Sequence, residues 1–213
     1  MKIKVCGMKY PDNMVAVAAL QPDYLGLIFY PHSPRFVGYE PNEALTELRL
    51  PAKKTGVFVD KDFSTIKSLI QKYHLDAVQL HGSESAETCA ALRKTVEVIK
   101  AFGVDEHFDF NLLKAYENKV DYFLFDTKTT VYGGSGNSFD WRVLENYTLN
   151  VPFFISGGLG NENLSSVLEF KHPAFYGLDL NSKFEDEPGL KNIKKLEEAF
   201  ALIKAQDQSF PSI

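Results

Sequence analysis

The sequence places Cys6 at the end of an apolar run, in KVCGM (4–8), and ends another apolar run, DYFLFD (121–126), on Asp126. A thiol with an ordinary pKa of about 8.5 acts as a base only as the thiolate, so its surroundings would have to favour the anion. A carboxyl group with an ordinary pKa of about 3.9 donates a proton near pH 7 only if it is held protonated. Environments that push two titratable groups into opposite roles are a recurring way to move protons on a substrate. Each residue also has a plainer reading. A free cysteine is usually inert core, and an aspartate after a strand often caps a turn or helix. Both readings stand at this level.

Other residues with chemical potential fall at similar places. His81 follows DAVQL (76–80), and Lys100 lies near the end of EVIKAF (97–102). In ISGGLGNENL (155–164), Gly157 and Gly158 follow an apolar run and precede a helix expected from near Asn161. Glycines let backbone N–H groups approach an anion, and a helix N-terminus favours negative charge. The next unit, GLDLNSKFEDEPG (177–189), adds Asp179, Asn181 and Ser182. Two small-residue loops in succession suit a phosphate group, whereas a single Gly-Gly pair is ordinarily just a turn.

Positioning these residues requires a scaffold that brings strand ends together. Strands are expected at 3–6, 23–29, 54–59, 76–80, 97–102, 121–126, 152–156 and 174–179. Their Val, Ile, Phe and Tyr content suits buried parallel strands. Helix-like stretches lie between them, among them 62–74 and 83–94. A last stretch, 188–205, carries Pro188 as a helix start and an apolar stripe from Leu190 to Ile203. Eight such units at short intervals predict a single-domain (β/α)8 barrel over residues 1–205, with a poorly ordered tail at 206–213. An open doubly wound sheet is the alternative. Strand parity puts Cys6 on one face with Lys4, His81 with Gln79, and Asp126 with Leu124 and Tyr122. If those faces point inward, Cys6 and Asp126 both rise into the barrel mouth, where such enzymes build their sites.

Composition narrows the partners. The net charge of -5 over 213 residues argues against nucleic acid or an anionic membrane surface. The start lacks a secretory signal pattern, and no apolar run is long enough to span a bilayer. Two cysteines are too few for a disulfide scaffold, and no Cys/His cluster has zinc spacing. The expectation is a reduced, metal-free, cytoplasmic protein that takes a small phosphorylated ligand, as monomer or homodimer.

An ordered set of motifs resembles the phosphoribosylanthranilate isomerase family of tryptophan biosynthesis. It comprises KVCGM (4–8), LGLIFYPHSPRFV (25–37), GVFVD (56–60), VQLHGSE (78–84), VIKAF (98–102), FLFDT (123–127) with GGSGNSFDW (133–141), FISGGLGNENL (154–164) and GLDLNSKFE (177–185). The resemblance implies a (β/α)8 barrel and a cofactor-free Amadori rearrangement of N-(5-phosphoribosyl)anthranilate. It further implies Asp126 as the general acid on the furanose ring oxygen and Cys6 as the base that removes the C2′ proton. Arg35 corresponds to the arginine that engages the anthranilate carboxylate, and His81 to a histidine at the mouth. Gly157, Gly158, Asp179, Asn181 and Ser182 correspond to the phosphate site, and 133–139 to a loop that covers the substrate. One departure concerns Asn181-Ser182-Lys183, where the family commonly has Ser-Ser-Gly. There the Lys183 ammonium is expected to compensate by lying near the phosphate.

Two other functions fit parts of the pattern. An inward Lys100 could form a Schiff base, as in barrel aldolases. A non-catalytic phosphosugar-binding module would need Arg35 and the glycine loops, but not the Cys6–Asp126 pair.

Overall fold

Eight apolar runs form eight strands because each is short, rich in β-branched and aromatic residues, and closed by a turn. In the computed structural model, which describes residues 1–40, 42–127 and 140–208, these are β1 Lys2–Met8, β2 Tyr24–Ile28, β3 Lys53–Phe58, β4 Ala77–Leu80, β5 Glu97–Val104, β6 Tyr122–Thr127, β7 Phe153–Ile155 and β8 Phe175–Leu180. Every strand lies within two residues of its expected bounds. They pair in parallel in chain order, and β8 returns to β1 with Lys4 opposite Asp179, closing the barrel.

The outer layer is less uniform than the repeat suggests. It holds α1 Pro11–Ala18, α2 Glu43–Thr46, α3 Phe63–Tyr73, α4 Ala86–Leu92, α5 Leu164–Glu169 and α6 Ile193–Gln208. Asp62 caps α3 by accepting from the Thr65 N–H at 2.8 Å, a contact of the kind worth about 1 kcal/mol. The units after β5 and β6 carry 3-10 helices, Phe110–Tyr116 and Trp141–Asn146, in place of α-helices. The helix expected near Asn161 begins at Leu164.

The last unit corrects the reading of Pro188. Glu185–Glu187 and Leu190–Lys191 form an antiparallel hairpin, β9–β10, turning through Pro188 and Gly189. Proline followed by a glycine at φ 94° suits the two central positions of a tight turn, so α6 starts only at Ile193. That helix runs three residues past the expected domain end at 205. Residues 209–213 and the 133–139 loop lie outside the described residues.

Alternation divides the apolar residues into two layers. Ile3, Val5, Leu25, Leu27, Phe123 and Phe125 face the helices. Tyr24, Ala77, Ile99, Ala101, Leu124 and Phe154, with Tyr122 and Tyr176, pack inside the barrel. Tyr122 stacks on Tyr176 with ring centroids 4.6 Å apart, and Phe154 meets Tyr24 edge-on at 5.6 Å. These rings plug the barrel's N-terminal half and leave the space above them for the mouth.

Candidate active site

A cavity of about 430 Å³ opens where the strands end, and Cys6, Arg35, His81, Asp126, Gly157, Gly158, Asp179, Asn181 and Ser182 all line it. Closure of the barrel brings these residues together from β1, β6 and β8 and the loops that follow β2, β4, β7 and β8.

Cys6 is only 3% exposed, and its sulfur points at β2. A Cβ on Gly26 would lie 2.8 Å from that sulfur, so glycine at this position makes room for the thiol. On the same face of β1, two residues below, Lys4 is fully buried and donates to Asp179 Oδ1 at 2.9 Å. Burial pushes the Cys6 thiol above its ordinary range, against the pull of Lys4 and Lys191. The unliganded thiol is therefore neutral at pH 7, opposite to the environment that a resting thiolate would need.

Asp126 departs in the direction an acid requires. Burial and the Asp179 charge push its carboxyl up to about 6, against the Thr127 N–H that donates to it at 2.9 Å. Gly157, at φ 89°, lies so close that a Cβ there would fall 2.7 Å from Asp126 Oδ1 and 2.2 Å from Thr127 Oγ1. Across the cavity, His81 Nε2 stands 3.5 Å from Asp126 Oδ2. His81 Nδ1 lies 3.0 Å from Gln79 Nε2, the arrangement of an amide donor meeting an unprotonated ring nitrogen. Burial, together with the Lys100 and Lys4 charges, pushes His81 down to about 4. It is a neutral imidazole at pH 7.

The anionic-ligand end differs from the sequence reading in two respects. Asp179 is 4% exposed, and its carboxylate is committed to Lys4. It presents no side-chain donor to a phosphate and would repel one, so this carboxylate belongs to the thiol's surroundings. Lys183 pairs with Glu162 at 3.4 Å and is not part of the cavity wall. Gly157, Gly158, Asn181 and Ser182 remain as adjacent small residues from two neighbouring loops. Asn163 fastens the first of these by donating to the Gly158 carbonyl at 2.8 Å and accepting from the Gly160 N–H at 2.9 Å.

Sequence reasoning missed the residues that hold Arg35. Its Nε and Nη2 donate to the Glu185 carboxylate at 2.6–3.0 Å. Lys191, fully buried, donates to Glu185 Oε1 at 2.5 Å and to Asn181 Oδ1 at 2.8 Å. Burial lowers Lys191 to about 8 against the Glu185 charge. The only signal for this network was the Pro188-Gly189 pair, which marks a turn as well as a helix start.

Lys100 does not reach the cavity. Its ammonium donates to the Leu80, Gly82 and Ala101 carbonyls and to Glu84. It braces the loop that carries His81 and is not poised as a Schiff-base amine. Among the described residues no group of three His, Cys, Asp or Glu could hold a metal ion, and no helix is long and apolar enough to cross a membrane.

A closed barrel with a thiol, a carboxyl group and a guanidinium gathered at its C-terminal rim defines a (β/α)8-barrel enzyme of the acid–base kind. The model of the N-(5'-phosphoribosyl)anthranilate isomerase family matches residues 3–201. A curated relative of that name from Parabacteroides distasonis is 50% identical, over 92% of this chain and 90% of its own. The crystal structure of phosphoribosyl anthranilate isomerase from Thermus thermophilus superposes with a TM-score of 0.84 at 28% identity, covering 96% of this chain and 99% of its own. Another solved member, in complex with reduced 1-(o-carboxyphenylamino)-1-deoxyribulose 5-phosphate, gives 0.79 at 27% identity with the same coverage. The chain belongs to the N-(5'-phosphoribosyl)anthranilate isomerase family.

Proposed function

We propose that Cys6 and Asp126 are the base and the acid of the reaction this family performs. That reaction is the Amadori rearrangement of N-(5'-phosphoribosyl)anthranilate to 1-(2-carboxyphenylamino)-1-deoxyribulose 5-phosphate, and membership makes the chain an isomerase of tryptophan biosynthesis. Asp126 protonates the furanose ring oxygen, and the ring opens to an iminium cation. Cys6, as thiolate, removes the C2′ proton to give an enolamine, which tautomerises to the ketone. The substrate's own iminium is the electron sink, so the chain's residues need only move protons and hold the two anionic ends.

One observation carries this reading: Cys6 and Asp126 line the same cavity as Arg35 and the small-residue loops after β7 and β8. Gly157, Gly158, Asn181 and Ser182 take the phosphate. Arg35 takes the anthranilate carboxylate through its Nη1–Nη2 edge, because Glu185 occupies the edge carrying Nε. Neutral His81 donates from Nε2 toward Asp126 and the substrate. The two unpaired thiols suit a cytoplasmic setting, and monomer or homodimer is the assembly expected by sedimentation.

The test follows the loss of fluorescence of freshly generated phosphoribosylanthranilate. General acid and base groups each contribute about 10²–10⁴-fold, so Cys6→Ala and Asp126→Ala should each lose at least about 100-fold in kcat while product affinity is largely kept. Normal turnover in either variant overturns the assignment.

A further inference from the structure

We propose that Lys4 is a positioning residue that supplies the counter-charge for the Cys6 thiolate, and that Asp179 is the partner that holds its ammonium while Cys6 is a neutral thiol. This deepens the assignment of Cys6 as base and rests on it.

The geometry is that of a shared cation. Lys4 and Cys6 face the same way on β1, and two strand residues span about 6.6 Å, a distance that a lysine stem covers. Asp179 stands opposite Lys4 in the β1–β8 ladder and also lines the cavity beside Cys6. The ammonium and the carboxylate are 0% and 4% exposed and 2.9 Å apart. By contrast Lys100, fully buried on the helix-facing side of β5, is saturated by three carbonyls and Glu84. Among the described residues, the Lys4 ammonium donates to Asp179 at 2.9 Å, and a side-chain hydrogen bond with Cys6 acts on both Lys4 and the thiol, so the one cation already reaches both groups. Stability does not explain such a pair, because well-packed apolar residues in place of a buried ion pair are often at least as stable.

The proton count closes. At rest the three groups are Lys4 ammonium, Asp179 carboxylate and Cys6 thiol. When the thiol releases its proton to water in the cavity, the ammonium divides its attraction between carboxylate and thiolate. When the thiolate takes the C2′ proton it becomes a thiol again, and Lys4 returns wholly to Asp179. The charges acting on Cys6 support this, since Lys4 pulls the thiol down and Asp179 pushes it up. Lys191 from β10 also pulls it down. Asp126 of β6, His81 after β4 and Arg35 from the β2 loop line the remaining wall, and β2 presents Gly26, which carries no charge, to the sulfur.

The experiment is iodoacetamide labelling of the full-length protein between pH 6 and 10, with Cys6 modification read by peptide mass spectrometry and folding checked by circular dichroism. Only the thiolate reacts, so the rate follows the thiolate fraction. Lys4→Met should move the Cys6 midpoint up by about one pH unit or more, which is about tenfold slower labelling at fixed pH below the midpoint. Asp179→Asn should move it down by a similar amount, and Lys4→Arg should restore the wild-type midpoint. A purely structural staple would shift both removals the same way or not at all, and either result overturns the inference. If Lys4→Met does not fold, Asp179→Asn and Lys4→Arg decide: an unmoved or raised midpoint in the first, or a midpoint raised by a unit in the second, overturns it. Turnover is measured on the same samples. Opposite shifts without isomerase activity in the wild type would leave this inference standing and remove the functional assignment, whereas activity with unmoved midpoints would do the reverse.

Discussion

Replacing Gly26 by alanine would put a methyl carbon 2.8 Å from the Cys6 sulfur and 3.1 Å from its Cα. Non-bonded carbon atoms settle at about 3.5–4.0 Å, and sulfur is larger, so the thiol or its strand must retreat by about 1 Å. Strand β1 is clamped between β2 and β8, which leaves rotation of the thiol as the easier response. A displacement of about 1 Å at a reacting group costs on the order of 10²-fold. Overpacking should also cost about 1–3 kcal/mol of stability. The assay is the fluorescence decay of phosphoribosylanthranilate, with product affinity and denaturant unfolding measured on the same preparation. The expected result is a kcat about 100-fold lower with KM and product binding little changed, because the phosphate loops and Arg35 lie elsewhere on the wall. Wild-type kcat in a folded Gly26→Ala protein would show that the position of the sulfur does not matter, and would refute the reasoning.

Three further outcomes follow from the site and the residues around it. With Asp126 at about 6 and the Cys6 thiol above its ordinary range, the productive form, with a protonated Asp126 and a thiolate, is a minor one at rest. Below pH 6 the acid stays protonated while the thiolate falls tenfold per unit. Above pH 6 the loss of acid cancels the gain of thiolate. Thus kcat/KM should rise to about pH 6 and then stay level through pH 8; a continued rise from 7 to 8 would contradict the assignment. Lys100→Met should destabilise the protein by about 3–5 kcal/mol in urea unfolding, because it leaves Glu84 buried without its cation. Borohydride added during turnover of the wild type should leave no adduct on Lys100, and an adduct mass there would reopen the Schiff-base mechanism.

The barrel was legible because every strand is buried on both sides, so each is an apolar run that ends where the chain turns polar. Cys6, His81 and Asp126 were found for the same reason, since a reactive side chain at the end of such a run has nowhere to point but the mouth. Chemistry that depends on charge at a distance was hidden. Lys4 and Asp179 are 175 residues apart in sequence, and only the closing β1–β8 register joins them. By sequence alone Asp179 groups with the loop that follows it, whereas in the fold its carboxylate is held by Lys4. Lys183 was placed near the phosphate because it replaces a glycine, yet a long side chain on a turn finds Glu162 first. Pro188-Gly189 suits both a helix start and a hairpin turn, and what decides between them is the burial of Lys191 against Glu185 and Asn181, a tertiary fact. The eightfold repeat implies a helix after every strand but does not tell an α-helix from the 3-10 segments found after β5 and β6.

The tyrosine and phenylalanine rings that fill the lower barrel turn the fold into a cul-de-sac. Whatever reaches Cys6 arrives past Arg35 and the glycine loops, and it leaves by the same doorway. Departing product and arriving substrate therefore contend for a single vestibule, so product inhibition is competitive by construction, and traffic through that vestibule bounds how fast the chemistry beneath it can be used.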